Sequence, residues 1–245
     1  MHLPGYGTPR TAQFSGYLTV TTEGAGEVYF HYWLAKSPHS SVDPVVVWLN
    51  GGPGASSVLA GALSELGPYF LNSSSLANKT TASVPDLYEN PYSWHTIANL
   101  VFLESPANVG FSHCSRSDCR WDDESTAKAN YGAVVQFFDR FPEFESSEFF
   151  VAGESYAGVY VPTLVEQIRQ HARDVAAPRI KLRGMAIGNG IIGHNDTFPG
   201  GGLGVARIET MHRVRECHRV RCPPTSSNRA RCCGCSMALS ARSCG

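Results

Sequence analysis

The sequence predicts an α/β protein, a largely parallel central sheet with an antiparallel hairpin at its N-terminal edge. Three observations predict it. Two runs of aromatic and β-branched residues, 13–20 and 27–35, flank a turn of Thr, Glu, Gly and Ala, the pattern of a hairpin. Short, continuous apolar runs follow, as expected of strands buried on both faces. Helix-period stripes lie between the later runs, and strands alternating with helices build a parallel sheet.

The first buried run, Val45–Leu49, ends in the turn Asn50-Gly51-Gly52-Pro53-Gly54. The second covers 100–103, the third 149–152, and the fourth, 185–187, enters Gly188-Asn189-Gly190. A helix is expected over 125–141. There Ala127, Tyr131, Val134, Val135 and Phe138 share one face, and Pro142 stops it. After the third strand, Pro162 is expected in the first turn of a helix through Leu164, Val165 and Ile168.

The 245 residues, 42% hydrophobic and 17% charged, suffice for one large domain or two small ones. A formal net charge of −1 leaves no electrostatic footprint for nucleic acid or an anionic membrane. No run approaches the ~18 apolar residues of a membrane helix. The charge is unevenly divided. Residues 1–198 carry 12 Lys+Arg against 19 Asp+Glu, whereas 199–245 carry eight Arg, Glu209 and Glu216. Six of the eight cysteines lie in that tail, which has no apolar period. The expected organisation is a globular body over 1–198 and a disordered or non-native end over 199–245. Zinc held by Cys217, His218, Cys222, Cys232, Cys233 and Cys235 is the alternative reading of the tail. The abrupt change in composition favours a read-through, mis-spliced or frame-shifted end, so no metal is expected.

Met1-His2-Leu3-Pro4-Gly5 has neither the charged nor the apolar region of a signal peptide. Asn72, Asn78 and Asn195 nevertheless head N-glycosylation sequons. Cys114 and Cys119, with four residues between them, are close enough for a local disulfide. The alternative is two free buried thiols, and the sequons favour the disulfide.

The chemistry-bearing segments sit at strand ends. The third strand runs into Gly153-Glu154-Ser155-Tyr156-Ala157-Gly158, a serine between strand and helix with small neighbours, which is the nucleophile-elbow arrangement. The glycine turn after the first strand lacks the Lys-Ser/Thr ending of a phosphate-binding P-loop. In an α/β hydrolase such a turn supplies the second N–H of an oxyanion hole; taken alone, it reads first as a plain tight turn fixed by Pro53.

Together these segments resemble serine carboxypeptidases. Trp48 to Ser57, Glu65-Leu66-Gly67-Pro68, Asn90 to Trp94, Asn99 to Pro106, Val109 to Ser112, Gly153 to Pro162 and Ile187 to Gly190 all carry the likeness. It runs collinearly from about Leu3 to Ile192, with Ala55 standing where many relatives have cysteine. The resemblance implies an α/β-hydrolase fold with Ser155 as nucleophile. It implies oxyanion donors at the backbone N–H groups of Gly52 and Tyr156, and no cofactor. Asn50, Gly51 and Glu154 would bind the terminal carboxylate of a peptide substrate, with Glu65 as partner of Glu154 and Trp48 in support. Location on the secretory route, in a vacuole or lysosome or outside the cell, is implied in the same way.

Two carboxyl groups facing an anionic substrate end cannot both ionise, because each charge raises the other's pKa. One kept protonated donates to the substrate, so binding should favour acidic pH. A base and an orienting carboxylate should follow Ser155, yet after Ile192 no stretch resembles the family's segments for them. His171, His194, His212, His218 and Asp196 have no claim to those roles. The chain is therefore expected to be a truncated, inactive form of a serine-type carboxypeptidase. The alternatives are an acyltransferase of the same family and a non-catalytic binding protein. A plain esterase has no need of Asn50 and Glu154.

Overall fold

The structure, a computed structural model, describes residues 2–23, 25–77, 83–173 and 180–191 and the short strands at 205–206 and 212–213. Apart from those two strands, the tail, with its cysteines, lies outside the described residues.

Strands β1 (Gln13–Thr22) and β2 (Gly26–Ala35) form the expected hairpin, paired antiparallel from Gln13↔Ala35 to Thr22↔Gly26. On β2, Val28, Phe30, Tyr32 and Leu34 alternate into the core, the period of two that a one-sided strand requires. Strands β3 (Val45–Leu49) and β4 (Asn99–Leu103) are buried along their whole length. Strands β5 (Phe149–Glu154) and β6 (Leu182–Gly188) extend the main sheet, in the order β1-β2-β4-β3-β5-β6, and His113–Cys114 pairs with β2 beside this path. The β2–β4 pair is antiparallel, and the pairs β4–β3, β3–β5 and β5–β6 are parallel. Val205–Ala206 pairs with Gly190–Ile191, and His212–Arg213 with Met185 and Gly184.

Both faces of the sheet are covered. Val45, Val47 and Leu49 point into one core with Phe137, Val161 and Leu164, while Val46 and Trp48 point into another with Val58, Ala62 and Phe102. That alternation explains why β3 reads as one unbroken apolar run. Helix α1 spans Asp123–Arg140. It starts two residues ahead of the expected boundary because Asp122 and Ser125 form a reciprocal capping box outside the apolar stripe. Its buried face includes Ala129, Ala133 and Phe137, and Val135 is only half-buried.

Helix α2 spans Ala157–His171, which corrects the expectation for Pro162. The helix begins directly after Ser155, so the proline sits inside it rather than in its first turn. Its missing N–H leaves the Gly158 carbonyl without the usual helical donor. A helical segment, Ser57–Glu65, follows the glycine turn without any expectation from the sequence; its turns are wide, closed by Leu66 N–H to the Gly61 carbonyl at 3.0 Å.

Strands β3 and β5 are neighbours in register, Leu49 opposite Gly153. The glycine turn and the Ser155 turn therefore leave the sheet side by side at the carboxyl ends of the strands, where open α/β sheets place their sites.

Candidate active site

Ser155 joins β5 to α2 with φ +59°, in the left-handed region that non-glycine residues seldom occupy. The surroundings hold it there. Its N–H donates to the Gly188 carbonyl at 3.0 Å, and its own carbonyl accepts from Gly158 at 2.9 Å and Ile191 at 2.8 Å. The small flanking residues have a steric cause. A Cβ on Gly153 would meet the Leu49 carbonyl and, at 2.6 Å, the Ala157 methyl. Strain at such a turn persists because neighbouring structure over-determines it.

The glycine turn is packed against this elbow. A Cβ built on Gly51 would stand 2.8 Å from the Glu154 carbonyl oxygen and 2.9 Å from Ser155 Cβ, directly against the Tyr156 nitrogen. Only glycine permits that approach. The next residue, Gly52, has φ +105°. The turn backbone and the Tyr156 N–H, at the start of α2 where helical donors have no intrahelical acceptor, thus meet beside Ser155. The Tyr156 hydroxyl donates to Asp123 at 3.0 Å, and its ring packs on Tyr160 with centroids 5.2 Å apart. Burial pushes the Tyr160 hydroxyl up to about 12, although a backbone hydrogen bond from Gly54 opposes the shift.

Asn50 stands at the centre of the polar cluster, 1% exposed. The indole N–H of Trp48 donates to its Oδ1 at 2.7 Å. An indole nitrogen only donates, so this bond sets the amide orientation and turns Nδ2 to the carboxylates. Nδ2 donates to Glu154 Oε1 at 3.1 Å and lies 3.3 Å and 3.4 Å from the two Glu65 oxygens. The Asn50 N–H donates to Ser57 Oγ at 3.0 Å. Desolvation among these neighbours raises the Glu65 carboxyl above its ordinary value; the Asn50 hydrogen bond opposes this and the Glu154 charge reinforces it. The result is an amide donor and two juxtaposed carboxyls, one inclined to keep its proton, next to a strained serine.

Residues Trp48, Asn50, Gly51, Gly52, Glu65, Glu154, Ser155 and Tyr156 are thus gathered at one end of the sheet. Ser56, Ser57 and Glu104 join them without an assignment from the sequence, although all three lie inside the quoted motifs. The available signal was Glu104 itself, a carboxylate directly after the wholly buried strand β4.

Among the described residues no hydrogen bond reaches Ser155 Oγ. His171 lies at the far end of α2, roughly 20 Å along the axis. It is stacked on Tyr131 at 4.2 Å, with Nδ1 2.8 Å from the Gln167 carbonyl. His194, His218, Asp196, Asn78 and Asn195 lie outside the described residues, as does the side chain of His212. Cys114 and Cys119 form a disulfide. Asn72 is exposed, and its side chain accepts the Ser74 N–H at 2.9 Å.

A mixed sheet with an N-terminal antiparallel hairpin and a strand–serine–helix elbow is the α/β-hydrolase fold. The chain belongs to the serine carboxypeptidase family, whose model matches residues 4–217 and so continues past Ile192. It is 45% identical over 197 residues to serine carboxypeptidase-like 26 of Arabidopsis thaliana, a match covering 78% of this chain and 40% of that protein. Over 198 residues it is 39% identical to serine carboxypeptidase ctsa-4.1 of Caenorhabditis elegans, covering 80% of this chain and 38% of the relative. Among solved structures it is similar to the prohormone-processing carboxypeptidase Kex1 of Saccharomyces cerevisiae. That likeness has a TM-score of 0.64 at 29% identity, over 76% of this chain and 40% of the other. The chain spans about 40% of the length of these relatives.

Proposed function

We propose that this chain carries the nucleophile, oxyanion-binding and substrate-recognition side of a serine carboxypeptidase site. The observation that carries the proposal is the Asn50 amide, held by Trp48 between Glu65 and Glu154 beside the elbow. Such a cluster suits the free carboxylate at the end of a peptide. Asn50 Nδ2, the Gly51 N–H and a protonated glutamic acid would supply three donors to it. The last peptide bond would then lie over Ser155. Oγ attacks its carbonyl carbon, a base takes the hydroxyl proton, and the oxyanion accepts from the Gly52 and Tyr156 N–H groups. The C–N bond breaks, the released amino acid takes the proton, and water hydrolyses the ester at Ser155.

No described residue serves as that base. On its own, the chain is therefore proposed to bind peptides without turning them over. An exposed sequon at Asn72 and the Cys114–Cys119 disulfide support a secretory route.

The pH dependence follows from the Glu65–Glu154 pair. A raised Glu65 carboxyl holds its proton in mildly acidic solution, where it donates to the ligand carboxylate. As pH climbs through the raised value the proton leaves, and a second negative charge faces the ligand. Free-acid peptides should therefore bind best at acidic pH and weaken as pH rises, whereas peptide amides should escape most of the loss. Glu154→Gln places a permanent donor in the pair and should flatten the profile. Peptide binding followed from pH 4 to 8 in both proteins tests the proposal. Parallel profiles for the two would refute carboxylate recognition by this cluster.

A further inference from the structure

Glu104 is 1% exposed and has no part in the proposed chemistry. A buried carboxylate needs compensation, and it has three partners. Oε2 accepts from the Phe111 N–H at 2.8 Å and lies 3.0 Å from His31 Nδ1, while Oε1 accepts from the Ser56 hydroxyl. His31 Nε2 is in turn 2.8 Å from Ser15 Oγ. Burial by itself would raise the Glu104 carboxyl. The bonds from His31, Phe111 and Ser56 outweigh it and hold the group below the usual carboxylate range. The Phe111 and His31 contacts are enough to tie β4 to its own loop and to β2. The Ser56 contact serves neither purpose, because Ser56 belongs to the glycine turn.

Ser56 is where that turn is fastened. Its Oγ donates to Glu104 and also accepts the Leu59 N–H at 3.0 Å, capping the segment that carries Glu65. The neighbouring Ser57 Oγ accepts the Asn50 N–H, and the turn closes on itself through Ala55 N–H to the Gly51 carbonyl at 3.0 Å. An ionised acceptor makes a stronger hydrogen bond than a neutral one, so the Glu104 tie is the firm one.

We infer that Glu104, through Ser56, is a positioning residue that sets the Gly51-Gly52 turn against Ser155 and thereby places the Gly52 N–H. The inference rests on the proposed oxyanion role of that N–H. The linkage is Glu104 carboxylate to Ser56 hydroxyl to turn backbone, and it makes no contact with substrate. Ser56→Ala removes the hydroxyl and leaves Glu104 with its other partners. Glu104→Gln keeps the volume but sets an amide NH₂ against either Ser56 or the donors at Phe111 and His31.

Amide exchange by NMR on the full chain, joined to modification of Ser155 by a fluorophosphonate, tests this. Both variants should speed exchange of the Ala55 N–H by about tenfold to a hundredfold, the range for one lost hydrogen bond to a charged group. The Val159 N–H in α2 should be unchanged, and Ser56→Thr, which restores a hydroxyl, should recover slow exchange. In the phosphonylation reaction the maximal rate should fall in Ser56→Ala with the half-saturating concentration unchanged, as expected for a displaced oxyanion donor. Unchanged Ala55 exchange, or equal speeding at Ala55 and Val159, would overturn the inference. If Glu104→Gln does not fold, Ser56→Ala and Ser56→Thr decide it. If Ser155 fails to react even in the unsubstituted chain, the lack of a base among the described residues accounts for it, and Ala55 exchange alone decides whether Glu104 holds the turn.

Discussion

Incubated with free-acid peptides, this chain should release the terminal residue no faster than about 10³–10⁴-fold above the uncatalysed rate. That is the level left to serine hydrolases with an oxyanion hole but no complete triad. The reason is geometric. Ser155 is strained and half-buried at the end of β5, beside the Tyr156 N–H, but among the described residues it has no hydrogen-bonded base. His171, on the helix that the elbow starts, is turned toward Tyr131 at the opposite end. A serine hydroxyl without a base is a weak nucleophile. Ser155→Ala should then lower the residual rate only slightly, since members of a triad act as a unit. A peptide-release assay with purified chain checks this. Turnover on the order of 1–10³ s⁻¹, usual for enzymes, and its loss in Ser155→Ala would show that a base reaches the serine after all.

Gly51→Ala should damage both the fold and the site. The added methyl would fall on the backbone nitrogen of Tyr156 and within 2.9 Å of both the Glu154 carbonyl oxygen and Ser155 Cβ. None of these is the end of a flexible side chain, so the turn and the elbow must separate. Overpacking of this kind costs about 1–3 kcal/mol. Asn50 precedes Gly51 and Gly52 follows it, so the proposed carboxylate donor and the proposed oxyanion donor move together. Binding of free-acid peptide should fall at least about tenfold, the equivalent of roughly 1.4 kcal/mol. Gly16→Ala is the control. Its Cβ would meet the Tyr32 ring at an ordinary 3.6 Å, and stability should stay within about 0.5 kcal/mol. Urea unfolding and peptide titration of the three proteins measure both effects. Equal stability and affinity in Gly51→Ala and the unsubstituted chain would contradict the close contact of turn and elbow.

The strands were legible because burial on both faces leaves a plain signature. Val45–Leu49 and Asn99–Leu103 have no exposed residue, and apart from the buried Asn99 at the start of the second both runs are wholly apolar. The elbow was legible for a local reason too: Gly153 and Ala157 flank Ser155 because their side-chain space is shared. The segment Ser57–Glu65 was not, since Gly61 lies where the Trp48 ring and Asn50 Oδ1 crowd its backbone, and a glycine inside a short stretch weakens any helical signal. Pro162 misled for a similar reason. Propensity puts proline at a helix start, but the elbow fixes that start at Ala157. The carboxylate cluster joins residues 104 positions apart in sequence, and no periodicity reports on such a contact. Only the family resemblance brought Asn50, Glu65 and Glu154 together beforehand. Glu104 was visible as a carboxylate directly after a buried strand, but the role inferred for it, anchoring a turn from another strand, has no motif of its own.

Recognition of a free peptide carboxylate by this cluster is the central claim. The direct measurement is calorimetric titration, at mildly acidic pH, of an N-acylated dipeptide and its C-terminal amide into the chain and into Asn50→Ala. Asn50→Ala removes the donor between the two glutamates and leaves Ser155 and the Tyr156 N–H untouched. Loss of a hydrogen bond to a charged ligand group corresponds to about 1.5–3 kcal/mol. The acid should bind the unsubstituted chain at least about tenfold more tightly than the amide, and Asn50→Ala should abolish the difference. Equal affinity of acid and amide for the unsubstituted chain would contradict that claim.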